Sequence, residues 1–162
     1  MKYAEGTTTP AETTLGEMRR LLEKAGATHW AHGSAPERDV IQFRIDGRMY
    51  KFGVERPDLD TIKAEYIADA VKRGRERQYV IEARADRIDF GTRTGPEWRR
   101  RWRARLMWLK AQLEFAEEVP LQTALLSALV LPDGRTFGDW AAPQVEAMYD
   151  SGTMPRMLGD GR

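Results

Sequence analysis

The densest chemistry in this sequence lies between Pro96 and Glu118, in PEWRRRWRARLMWLKAQLEFAEE. Arg99, Arg100, Arg101, Arg103, Arg105 and Lys110 are interleaved there with Trp98, Trp102 and Trp108, three of the five tryptophans of the chain. Guanidinium groups bind phosphates, and flat indoles offer stacking platforms for bases. The combination is what a nucleic-acid-binding surface needs. The competing reading is a solvated helix face whose arginines pair with acids of the same chain. If Arg99, Arg100 and Arg103 are each engaged in that way, the nucleic-acid reading collapses.

Other reactive groups are sparse. The chain has no cysteine, so it has neither a disulfide framework nor thiolate chemistry. His29 and His32 stand three apart on a candidate strand and therefore point to opposite faces, a poor arrangement for one metal ion. Pro57-Asp58 followed by Glu82-Ala83-Arg84 has the outline of a metal-dependent nuclease motif, but arginine stands in place of the lysine and cannot give up its proton. Lys72-Arg73-Gly74-Arg75 lacks the spacing of a phosphate loop. Ser34, Ser127 and Ser151 lack the context of a nucleophile elbow. No catalytic residue, metal or cofactor is predicted, and an enzyme is disfavoured.

The arginines depend on a helix for their arrangement. At about 100° per residue, Trp98, Trp102, Leu106, Leu109, Leu113 and Ala116 form one apolar seam. Arg99, Arg100, Arg103 and Lys110 gather on a second face, while Arg101, Arg105 and Trp108 flank the seam. Pro96 suits a first turn. The cations crowd the N-terminal half, where the helix dipole disfavours them, so they call for counter-charges or an anionic partner. Arg105 borders the seam and is expected to be partly buried.

The remaining elements read as follows. Residues 1–10 form a mobile arm. A helix runs over 14–25, opened by a capping box of Thr14 and Glu17 and closed by Gly26. A strand at 28–33 precedes a hairpin of 38–45 and 48 onward around Asp46-Gly47, whose turn pairs Phe43 with Tyr50 on the core side. A helix covers 61–72. Tyr79–Ile81 and Ile88–Phe90 read as short strands, and Gly91–Gly95 as a loop. Residues 121–131 are apolar nearly all round and read as one buried helix. A last helix runs from Thr136 or Asp139 to about Tyr149, with Pro143 required in its first turn. The tail from 151 to 162 is loose. The fold class is α+β: a three-stranded antiparallel meander packed against helices with a helical C-terminal third, one domain over 11–150.

The net charge of +1 hides an asymmetry. Residues 1–110 carry 23 Lys+Arg against 17 Asp+Glu, and residues 111–162 carry 3 against 8. The first two-thirds can meet an anion, and the last third can shield it. No apolar run approaches the roughly 18 residues of a membrane span, and the N-terminus lacks the form of a signal peptide.

Met1-Lys2-Tyr3-Ala4-Glu5-Gly6-Thr7 through the first helix, Arg101-Trp102-Arg103-Ala104, and Leu131-Pro132-Asp133-Gly134-Arg135-Thr136 onward to Met154-Pro155 resemble an uncharacterised family of small phage and prophage proteins. Arg105 departs from that pattern, which has an aliphatic residue there. The resemblance implies a phage-related origin and a host bacterial cytoplasm, with no mechanism or site to carry over. The expected function is a non-enzymatic accessory protein that binds an anionic partner, foremost nucleic acid, through Arg99, Arg100, Arg101, Arg103, Arg105, Trp108 and Lys110. The alternative is an anti-defence protein that binds a host protein or sequesters a nucleotide. A metal-dependent nuclease is the third reading.

Overall fold

The structure, a computed structural model, describes residue 4, residues 6–89 and residues 91–152, with side chains left aside at 91–93. The chain order is α1 (Ala11–Lys24), β1 (His29–Ser34), β2 (Arg38–Ile45), β3 (Arg48–Glu55), α2 (Leu59–Lys72), α3 (Gln78–Ala85), α4 (Gly91–Phe115), α5 (Leu121–Ala124), a 3-10 turn (Leu126–Ala128) and α6 (Phe137–Ser151). The strands form one antiparallel sheet in the order β1-β2-β3. This is the expected α+β class with a helical C-terminal third. Among the described residues no helix is long and apolar enough to cross a membrane. Most of the expected tail, from 153 on, lies outside the described residues, as do positions 1–3 and 5 of the expected arm.

Contacts divide the chain into two compact units. One holds the residues up to Leu21, Ser34–Asp39 and Val54–Leu109; the other holds Leu22–Gly33, Val40–Gly53 and the residues from Lys110 onward.

The second unit is built on the hairpin. Asp46 and Gly47 both have positive φ, 49° and 74°, as a two-residue turn matched to strand twist requires. That turn fixes the register, and the pleat then puts alternate residues on one face. Ile41, Phe43, Ile45, Tyr50 and Phe52 are all buried. Phe43 stacks on Tyr50 with centroids 5.5 Å apart and meets Phe52 edge-on at 6.2 Å.

Residues 121–131 do not form one helix. The chain turns through α5 and the 3-10 turn, and Leu129 then bridges Tyr50 while the Val130 N–H donates to the Met49 carbonyl at 2.8 Å. The outer edge of β3 offers unpaired backbone groups, and satisfying them there outweighs continuing the helix. The next turn returns through Gly134 at φ 83° to Thr136, which bridges Val130. Thr136, one of the two expected starts, caps α6 with a reciprocal box to Asp139. Pro143, however, lies in the second turn rather than the first. Gly138 packs so closely on the 3-10 turn that a Cβ there would sit 2.9 Å from the Ser127 carbonyl oxygen.

The first unit departs further from the sequence reading. Tyr79–Ile81 is helical in α3, because Ile81 and Ala85, four apart, are buried together while Tyr79 is 64% exposed. A strand would have put Tyr79 and Ile81 on one face. Residues 88 and 89 form no strand, and Phe90 lies outside the described residues. Ala85 joins Ile62, Tyr66, Ile67 and Ile88 in a small apolar cluster between α2 and α3. The helix α4 starts at Gly91 rather than after a loop, so Pro96 falls in its second turn. There it forfeits the helical bond its missing N–H would make. Likewise α1 begins at Ala11, which places Thr14 inside the helix. Its hydroxyl bonds back to the Pro10 carbonyl at 3.3 Å, and Glu17 is released from the expected capping box.

Two measurements check this packing. Phe43→Ala should lower the free energy of unfolding by about 3–5 kcal/mol in a denaturant titration, as for a fully buried aromatic. Gly138→Ala should also destabilise, by about 1–3 kcal/mol through overpacking. An ordinary solvent-facing helical glycine would instead gain up to about 1 kcal/mol from the same change.

Candidate anion site

In the first unit the apolar seam of α4 is buried at Trp102, Leu106 and Leu109. Trp98 is half-buried, edge-on to Trp102 at 5.7 Å. Arg56 lies 4.8 Å over the Trp98 ring and donates to the buried Asp39 carboxylate at 2.8 Å, to the Ser34 hydroxyl at 2.7 Å and to the Ala35 carbonyl at 3.0 Å. This latch fixes the chain just beyond β3 beside the first turns of α4. It thereby sets the position of Val54 and Glu55, which face the arginines.

The counter-charges demanded by the arginine-rich half of α4 are present. Glu97 accepts from Arg100 through Nε at 2.7 Å and Nη2 at 2.6 Å, and from Arg101 Nε at 3.1 Å. Its spacing of three and four residues before its partners is the favourable orientation for a helical ion pair. Burial alone would raise the Glu97 carboxyl, but the hydrogen bonds and charges of Arg100 and Arg101 together hold it below its ordinary value of 4.5. A depressed carboxyl contributes stability that is complete above its unfolded value and is lost as pH falls through the folded one. Arg101 also donates to the Glu55 backbone carbonyl at 3.1 Å. Arg103 forms a forked pair with Glu17 of α1, 2.9 Å to each oxygen. Arg99 donates to the Thr7 carbonyl at 3.4 Å.

The predicted residues therefore separate. Arg100, Arg101, Arg105 and Trp108 line one open cleft of about 310 Å³, with Ala104 between them and Val54 and Glu55 opposite. Arg99 and Arg103 are held elsewhere by α1 and the segment before it, and Lys110 does not line the cleft. On the wheel the lining positions are one stripe: 100, 104 and 108 make one ridge and 101 and 105 the next. Arg105 lies over Trp108, 5.4 Å from the ring centroid. Burial pushes its guanidinium down from the ordinary value, with the charge of Glu55 opposing that shift. It stays cationic at any physiological pH.

The walls carry three guanidiniums and the Glu55 carboxylate, with Arg38 4.0 Å from Glu55 and Glu97 paired to Arg100 and Arg101. The arrangement can hold a small anion bearing a flat group. Val54, Glu55, Glu97 and Ala104 escape sequence reasoning as site residues. Only the spacing of Glu97 to Arg100 and Arg101 carried a signal.

Other candidates are occupied. Asp58 caps α2, and hydrogen bonds from the Thr61 hydroxyl and N–H lower its carboxyl. Glu82 accepts from Gln78 at 2.8 Å, and Arg84 pairs with Glu76 at 2.6 Å. Among the described residues no group of three or more His, Asp or Glu is placed to hold a metal ion. His29 lies against the Thr28 hydroxyl at 3.0 Å.

The Arg103–Glu17 pair is partly shielded, with side chains 28% and 26% exposed. A double-mutant cycle with Arg103→Gln and Glu17→Gln should give a coupling of about 0.5–1 kcal/mol in unfolding free energy. A coupling of zero would make Arg103 a solvated cation rather than a structural one.

No protein-family model matches this chain, and neither a curated protein nor a solved structure matches it. The resemblance to phage proteins accordingly stands on its quoted residues alone.

Proposed function

We propose that this chain is a non-enzymatic binding protein whose partner is anionic, foremost nucleic acid, and that it engages that partner at the α4 cleft. The observation that carries this reading is the convergence of Arg100, Arg101 and Arg105 with Trp108 on one open concavity. Guanidiniums already braced by Glu97 lose little side-chain freedom when an anion arrives, so more of the contact energy is retained as affinity. Charge-assisted bonds from planar guanidiniums suit phosphate oxygens. The likeness to phage and prophage proteins adds a setting, the cytoplasm of an infected bacterium, in which nucleic acid is the abundant polyanion.

Contacts from Arg100 and Arg101 to phosphate give a log–log salt slope of about −1.4 to −1.8 for oligonucleotide binding. Arg101→Gln should make that slope shallower by about 0.7–0.9, one phosphate contact. Arg99→Gln should leave it unchanged. Isothermal titration at several salt concentrations measures both. Absence of binding to any oligonucleotide at low salt, or an equal loss on Arg99→Gln, refutes the assignment to this cleft.

A further inference from the structure

We infer that the cleft takes a single unpaired nucleotide, with its base against Trp108 and its phosphate on the Arg100–Arg101 side. This rests on the anion-binding reading above and narrows it to a ligand class.

Three observations lead there. First, the cavity of about 310 Å³ lies at the small end of ligand sites, roughly 300–1,000 Å³. It is a concavity for one flat group and not a groove for a helix of duplex. Second, the Arg100–Arg101 end of the cleft and Trp108 are separated along α4. Arg100 and Trp108 stand two turns apart on one ridge, with Ala104 between them. A helix rises about 1.5 Å per residue, so their Cα atoms are about 12 Å apart. That span matches a nucleotide laid lengthwise from phosphate to base. Third, Ala104 lines the cleft between those ends with only a methyl group, and a leucine there would take up part of that space. Trp108 is half-exposed at the far end, and Arg105 over its ring adds a cation beside a stacked base.

A base inside a duplex is stacked on its neighbours and presents only an edge. A base in a single strand presents its face, and stacking on an aromatic side chain tolerates any sequence. The predicted ligand is therefore an unpaired base joined to phosphate, held with little preference for base identity. The same chemistry is found in a single strand and in a free nucleotide.

The test uses the full chain and four ligands at one low salt concentration: a single-stranded oligonucleotide, its duplex, an abasic strand of equal length, and adenosine monophosphate. The single strand should bind about 5- to 100-fold more tightly than the abasic strand, the gain from stacking one base. It should also exceed the duplex. Ala104→Leu, which alters no charge, and Trp108→Leu should each bring the single strand down to the abasic level, while Trp108→Phe should retain most of the difference. Binding of the monophosphate as tight as the strand assigns the ligand to free nucleotides, and weaker binding assigns it to single strands; either supports the inference. Equal affinity for base-bearing and abasic strands overturns it and leaves the anion site standing, as does tighter binding to duplex. If no polyanion binds at all, the anion site falls as well.

Discussion

Two neighbouring guanidiniums on one helix turn repel, and the first half of α4 depends on the carboxylate that resolves this. Unit charges about 4 Å apart interact by roughly 4 kcal/mol near a protein surface, with an effective dielectric of about 20. Cations in the N-terminal half of a helix face the dipole as well. Glu97 answers the repulsion, since it accepts from Arg100 and Arg101 together. It is half-buried, so removing its carboxylate would leave Arg100 and Arg101 without the counter-charge they share. Glu17 of α1 does the same for Arg103 at longer range. These acids convert a repulsive stretch into a rigid one. A guanidinium held by a carboxylate has already lost most of its rotamer entropy on folding. The acids thereby also determine which arginines are presented to the cleft.

The hairpin was the most legible element because two independent signals, the alternation of large side chains and the Asp46-Gly47 turn, specify the same register. The start of α6 was legible to within three residues, Thr136 or Asp139, and the structure settles on Thr136 because it and Asp139 satisfy each other locally. The misread segments are those whose conformation is decided by a distant partner. Residues 121–131 are apolar enough for a buried helix, but the open edge of β3 recruits Leu129 and Val130. Tyr79–Ile81 carries β-favouring side chains, yet the burial of Ile81 and Ala85, the latter packed with Ile62, holds it helical. Propensity is a weak prior against such tertiary terms. Gly91–Gly95 contains two glycines and precedes a proline, so no local signal announces a helix there.

For the site, the residue types were legible and their grouping was not. The arginine-rich helix was found, with every cation later seen in the cleft. The wheel grouped Arg100 with Arg99 and Arg103, whereas the structure sets Arg100 with Arg101, Arg105 and Trp108. The division follows from what packs beside each flank. The end of β3 supplies Val54 and Glu55 to one side, and Glu17 and Thr7 claim Arg103 and Arg99 on the other. No spacing in a single sequence ties Glu55 to the residues around 101, because that proximity is made by the sheet and by the Arg56 latch on Asp39 and Trp98.

The central claim is that one helix carries two populations of arginine, with those in the cleft given to a ligand and those toward α1 given to the fold. The most direct measurement is the Nε–Hε spectrum of the arginine side chains by nuclear magnetic resonance during titration with a short single-stranded oligonucleotide. The account predicts that the Arg100, Arg101 and Arg105 signals shift in a saturable way together with the Trp108 indole, while Arg103 stays fixed in its bond to Glu17. Saturable shifts at Arg99 and Arg103 with a silent cleft, or no shift at any arginine, would contradict it.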